Sequence, residues 1–184
     1  MSSPTPPPAS ARPDPSMLDV VRVVALLAVA IVTIAWLGGL FRADTVVEPE
    51  AVDYEAVARG PQVDSGFALL VPARLPDGWR ATSARWGAAD RHWHIGILTA
   101  EQEYVGVEQS RLDAQAAQET YAPGATEAGA VQVSGRPWVR LVDEQTGAVA
   151  LLDEQPEYTV VVTGSAPETT LAVLAETLAP VPPR

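Results

Sequence analysis

Hydrophobic positions follow three different rhythms along this chain. From Val23 to Phe41 they run almost unbroken, as VVALLAVAIVTIAWLGGLF, with no charged residue. As a helix, a segment of that length covers about 28 Å, close to the thickness of a bilayer's hydrocarbon core. Arg22 and Arg42 close it at its ends, where long cations reach the headgroups. Beyond residue 62 the apolar runs become short and alternate with polar residues, which is the period of strands. The last apolar stretch returns to helical spacing, with Leu171, Leu174, Ala175 and Leu178 forming one stripe.

The alternating part resolves into a series of strands. Phe67–Val71 is a short buried run, followed by the turn residues Pro76-Asp77-Gly78. Trp79–Trp86 alternates with mixed faces. In His92–Thr99 the residues Trp93, Ile95, Ile97 and Thr99 point toward a core, and Tyr104–Ser110 returns as its hairpin partner. Gly96 and Gly106 interrupt these two strands: glycine there ordinarily just lets the sheet bend, and if the two face each other they leave a shallow groove. Further strands are expected at Ala130–Val133, Trp138–Val142, Ala148–Leu152 and Tyr158–Thr163, with Ser134-Gly135-Arg136-Pro137 as one of the turns between them.

Helices are expected at three places. Residues 48–59 begin with Pro and acids and end at Arg59 before Gly60-Pro61. Asp113 caps an Ala- and Gln-rich segment to Thr120. Ser165-Ala-Pro-Glu168 has the form of a capping box opening the final helix, which Pro180, Pro182 and Pro183 end. The predicted fold class is α+β: an N-terminal transmembrane helix, then one antiparallel-sheet domain of about six or seven strands with helices on the sheet, including the C-terminal helix.

Composition adds boundaries and a location. Residues 1–22 are a tail rich in proline and poor in apolar groups, expected to be disordered. It reads either as a solvated stub or as a docking peptide for an aromatic groove. Residues 23–41 are the span, 42–61 a juxtamembrane segment, and 62–184 the folded domain. A cleaved signal peptide is the alternative for the span, but no small-x-small pattern follows it. All 12 cationic residues are Arg, a composition associated with high-GC genomes. Beyond Ala43 nine of them stand against 21 Asp and Glu, a net charge near −12. Such a surface repels nucleic acid and anionic headgroups. Arg12 and Arg22 before the span against Arg42 after it, together with the order tail–span–domain, orient the chain with its N-terminus cytoplasmic and its domain outside. There is no cysteine, so neither disulfides nor thiol chemistry are available.

Candidate chemistry is sparse. His92 and His94 share one strand face and are the candidate metal ligands, with Asp90 nearby in sequence; a third ligand is not evident, and a solvated polar face is the plainer reading. Asp143-Glu144 and Asp153-Glu154 are paired acids at turns, more suited to solvation than to acid–base work. No G-x-S-x-G elbow is present, and a phosphate loop requires the Lys this chain lacks. Trp79, Trp86, Trp93 and Trp138 could floor a sugar or lipid site, but single tryptophans on strands ordinarily fill a core, and Trp36 lies in the span.

One ordered series of motifs goes further. Leu75-Pro-Asp-Gly-Trp79-Arg-Ala-Thr is followed by Gly96-Ile-Leu-Thr99, Tyr104-Val, Glu108-Gln-Ser110, Gly135-Arg-Pro-Trp138, Val161-Val-Thr-Gly164 and the Leu-rich closing helix. This series resembles the "domain of unknown function 4245" family of actinobacterial single-pass membrane proteins. The resemblance implies the architecture and the location; it carries over no activity and no catalytic residues.

The expectation is therefore a non-enzymatic, membrane-anchored module of the cell envelope. Its partners are the bilayer, through Val23 to Phe41, and an envelope protein, lipid or glycan, with no nucleic acid and no cofactor. The alternatives are a lipid or glycan carrier, a transmembrane regulator with the proline-rich tail as output, and a metal-dependent hydrolase using His92, His94 and a carboxylate. A deep apolar pocket on the sheet would favour a carrier; a flat polar face would favour a protein partner.

Overall fold

The computed structural model describes Leu27 and residues 51–181. The expected tail and span, and the juxtamembrane segment before residue 51, lie outside the described residues apart from Leu27, which is helical. Among the described residues no helix is long and apolar enough to cross a membrane. The chain divides into two units, Met1–Glu48 and Pro49–Arg184, and the fold described here is that of the second.

That unit is α+β. Helix α1 (Tyr54–Arg59) and a single 3-10 turn (Pro61–Val63) lead to strand β1 (Leu70–Pro72). Then come β2 (Arg80–Gly87), β3 (His92–Leu98), β4 (Tyr104–Ser110) and helix α2 (Ala114–Tyr121). Strands β5 (Thr126–Val133), β6 (Arg136–Val142), β7 (Val149–Glu154) and β8 (Thr159–Gly164) follow, and α3 (Glu168–Thr177) and β9 (Leu178–Pro180) close the unit. Seven strands form one antiparallel sheet in the order β2-β3-β4-β8-β7-β6-β5; β1 and β9 pair separately. Ser134 and Gly135 both adopt positive φ, at 49° and 78°, the conformation a two-residue hairpin turn requires at both positions.

The strand period distributes apolar groups to both faces. On one face Trp93, Ile95, Ile97, Val105, Val107, Val160, Val162, Leu151 and Trp138 build the main core with Leu171, Leu174 and Ala175 of α3. On the other, Ala117 of α2 packs with Leu141, Ala150, Leu152 and Val161. Central strands buried from both sides need apolar residues at successive positions, which is why β8 reads TVVVTG. The second core ends at β8. Over β2, β3 and β4 the same face is surfaced by polar side chains.

Several expected elements differ from what forms. Helix α1 starts at Tyr54 rather than residue 48, because the Asp53 carboxylate accepts from Ala56 N at 2.9 Å and caps it there. The strand expected at Phe67–Val71 is confined to Leu70–Pro72; buried Gln109 holds the chain before it, accepting from Leu70 N and donating to Ala68 O, each at 2.9 Å. The expected capping box does not form. Tyr104 N donates to Ser165 Oγ at 3.0 Å, and Glu168 accepts from Arg140 Nε at 2.6 Å, so tertiary partners take both side chains and Pro167 stands at the N-cap unaided. Leu178 leaves the helical stripe to begin β9, against Pro72. Strand β5 starts at Thr126, earlier than the expected Ala130, passing through an irregularity between Glu127 and Ala130.

Candidate functional site

On the polar side of the sheet four side chains from three strands join in one row. His94 pairs directly with Glu108 across β3 and β4, and with Arg85 of β2 on its other side. The period of two puts His92, His94 and Glu108 on one face, opposite Trp93 and Ile95. His94 Nδ1 lies 2.7 Å from Glu108 Oε1, and His92 Nε2 lies 2.6 Å from Oε2, so one carboxylate takes both imidazoles. Ser83 Oγ of β2 is 3.1 Å from His94 Nε2. The imidazole of His92 stacks on Tyr121 at the end of α2, with centroids 5.1 Å apart.

Burial alone would push the Glu108 carboxyl upward. Its hydrogen bonds and charge interactions with His92 and His94 outweigh that, and its pKa is lowered from the usual 4.5. An ionised Glu108 only accepts, so each facing nitrogen carries a proton: Nδ1 of His94 and Nε2 of His92. A neutral His94 then accepts the Ser83 hydroxyl at Nε2. Tyr104 and Tyr121 are both raised, by burial first, with the Glu108 charge adding to each. Arg85 opposes the shift at Tyr104, and a hydrogen bond with Ser110 opposes it at Tyr121.

The groove that facing glycines would leave between Gly96 and Gly106 is filled. The two glycines do face each other, and the Tyr104 ring lies over both: a Cβ on Gly96 would sit 3.2 Å from Tyr104 Cε2, and one on Gly106 would sit 3.0 Å from its hydroxyl. Glycine here makes room for an aromatic ring from the same face. The result is a surface on which Ser83, Arg85, Tyr104 and Tyr121 border the histidine row.

The plainer reading of the histidines, a solvated face, is corrected: His94 is 3% exposed and fully engaged. Asp90, the neighbour in sequence, makes no hydrogen bond to either ring among the described residues; Glu108 takes that place. Among the described residues no three His, Cys, Asp or Glu side chains are grouped to hold a metal ion. The signal for Glu108 was in the hairpin: with Leu98 opposite Tyr104, residues 94 and 108 are equally far from the loop and so adjacent.

The other candidates serve local structure. Asp143 accepts from Thr146 Oγ1 at 2.6 Å and Gln145 N at 2.8 Å, which lowers its pKa, with the Thr146 bond first. Asp153 accepts from Gln155 and pairs with Arg136, while Glu154 accepts from Ala114 N at the start of α2. Trp93 and Trp138 are core residues. One hollow of about 380 Å³ lies among Arg111, Asp113, Glu154 and Tyr158, one of about 330 Å³ among Glu103, Thr146, Ser165 and Glu168, and one of about 130 Å³ adjoins Tyr121 and Pro123.

No curated protein matches the chain. Among solved structures it is similar to the complex of Pseudomonas aeruginosa MucA and MucB, at 15% identity with a TM-score of 0.35 over 62% of this chain and 36% of that one. A second structure, MucB in complex with MucA(peri), gives 15% identity and a TM-score of 0.31 over 62% and 37%. The chain thus spans little more than a third of those structures' length, and a likeness at these scores carries no functional argument. The family model is another matter: one described as "protein of unknown function (DUF4245)" matches residues 12–178, nearly the whole chain, and the protein belongs to that family.

Proposed function

We propose that the protein is a membrane-anchored binding module of the cell envelope, acting without turnover. In this reading Val23 to Phe41 crosses the bilayer, the proline-rich tail stays in the cytoplasm, and the folded unit stands outside. It meets a protein partner through the polar face of β2, β3 and β4. The observation that supports this most is the histidine row: a carboxylate and two imidazoles are held in fixed geometry on the part of the sheet that neither core includes. An ordered polar surface suits a protein partner better than a lipid tail, which needs an apolar cavity.

The test places a photo-crosslinking residue at Arg85, on the polar face, or at Val173, exposed on α3, in the full-length protein in its own cells. The reading expects a discrete protein adduct from position 85 and none from 173. No adduct at 85, or the same adduct at both, would overturn it; a lipid or glycan adduct at 85 would favour the carrier instead. External protease on intact cells checks the topology: the folded unit should be lost and an epitope on residues 1–22 retained.

A second reading rests on the order Ser83–His94–Glu108, which is that of a nucleophile, a base and an orienting acid. Ser83 Oγ would attack an ester carbonyl and pass its proton through His94 Nε2 to the leaving alkoxide, with water then releasing the acyl group. A fluorophosphonate probe decides between the two readings. The binding reading predicts an unlabelled Ser83; stoichiometric labelling that disappears in Ser83→Ala would replace it with hydrolysis.

A further inference from the structure

Two arginines converge at one end of the sheet, outside the histidine row. Arg91 lies in the turn between β2 and β3, and Arg111 directly follows β4. From the point where a Cβ on Gly66 would sit, Arg111 Nη2 is 3.0 Å away and Arg91 Nη1 is 3.7 Å away. Two guanidinium ends thus approach the same glycine from separate segments of the chain.

Each is placed by its surroundings. Arg111 Nη2 donates to the Gly66 carbonyl at 2.9 Å, which fixes that guanidinium and leaves its other donors without a hydrogen bond among the described residues. Arg91 sits at φ 49°, in the left-handed region that few residues other than glycine adopt. Gly66, at φ 76°, carries no side chain between them. Asp90 and Asp113, the acids nearest these arginines in sequence, form no ion pair with either among the described residues, nor does Asp64 beside Gly66. By contrast Arg59, Arg136 and Arg140 are each paired with a carboxylate.

Two like charges gathered at one glycine repel each other, and neither is ion-paired among the described residues, although Arg111 also borders the hollow that holds Asp113 and Glu154. A group that answers both must present oxygens to two planar forks at once. A carboxylate brings one negative charge on two oxygens, whereas a phosphate brings up to two charges on three terminal oxygens and so answers two guanidinium forks more completely. We propose that Arg91, Arg111 and the bare backbone at Gly66 form a binding site for a phosphate monoester or free phosphate. The site is independent of the polar face and stands or falls without it.

The probe is inorganic phosphate, titrated calorimetrically into the full-length protein in detergent micelles, against chloride at equal ionic strength. Saturable binding is expected, weakened about tenfold or more in Arg91→Ala and in Arg111→Ala, with Arg136→Ala unchanged. Arg111→Lys, which keeps the charge and loses the fork, should fall between. Both arginines are exposed, so far-UV circular dichroism should be unchanged in every variant. Vesicles carrying phosphatidic acid, compared with phosphatidylcholine alone, separate the sources: competition with phosphate points to a lipid headgroup, and its absence to a soluble phosphate. No saturable binding, or equal losses in the Arg136 variant, would overturn the site.

Discussion

Replacing Trp93 by Ala is expected to destabilise the folded unit by about 4 kcal/mol, the typical cost of truncating a large buried aromatic. Trp93 is 0% exposed at the centre of the main core, among residues of β1, β3, β4 and β8. Its indole Nε1 also donates to Leu70 O at 2.9 Å. That bond ties the small β1–β9 pair to the large sheet, so the variant loses packing and leaves a buried carbonyl without its donor. Urea denaturation followed by far-UV circular dichroism measures the change. Trp93→Phe, which keeps much of the volume and drops only the donor, should lose less than half as much. If the two variants are equally destabilised, the hydrogen bond rather than the packing governs this position.

Glu108→Ala is expected to cost about 3 kcal/mol, because it strands two imidazole donors on a partly enclosed face. The effect has a pH signature. The folded-state pKa of Glu108 lies below its ordinary 4.5, so the unfolded chain binds a proton there more readily than the folded one. The stabilisation from Glu108 is therefore fully present above pH 4.5 and is lost as pH falls through the lower folded value. Glu108→Gln keeps the shape and cannot titrate. The gap in unfolding free energy between the native protein and Glu108→Gln should be widest near neutral pH and should close below pH 4.5. A gap that stayed constant across that range would mean that the charge of Glu108 contributes nothing.

Local order was legible in the sequence wherever a residue acts on its own neighbours. Asp113 caps α2 as its position announces, accepting from Ala116 N at 2.8 Å. The alternation in His92–Leu98 placed Trp93 and Ile95 inward and both histidines on the other face. The failures share a cause, which is competition from distant partners. Ser165 and Glu168 have the spacing of a capping box, yet Tyr104 and Arg140 claim them. The β1–β9 pair joins three-residue strands more than a hundred residues apart, each ending in Pro, and no local pattern reports such a pairing.

The site divides in the same way. The two histidines were visible as a pair, but Asp90, close in sequence, was a poor guide to their partner. Glu108 was within reach of a register argument, since a hairpin fixes which residues sit opposite each other. Ser83 was not. It stands opposite Gly96 and reaches His94 diagonally, one place along the face from Arg85, the direct cross-strand partner, so the register alone does not single it out.

The arrangement of that row is open to one direct observation. With Glu108 between the rings, His94 should carry its proton on Nδ1 and His92 on Nε2, giving opposite tautomers on two residues of one strand. Nitrogen-15 NMR of histidine-labelled protein at about pH 8.5, where an ordinary imidazole is neutral, reads this for each ring. The account predicts opposite tautomers that lose their distinction in Glu108→Gln. The same tautomer on both rings, unaffected by that substitution, would contradict it.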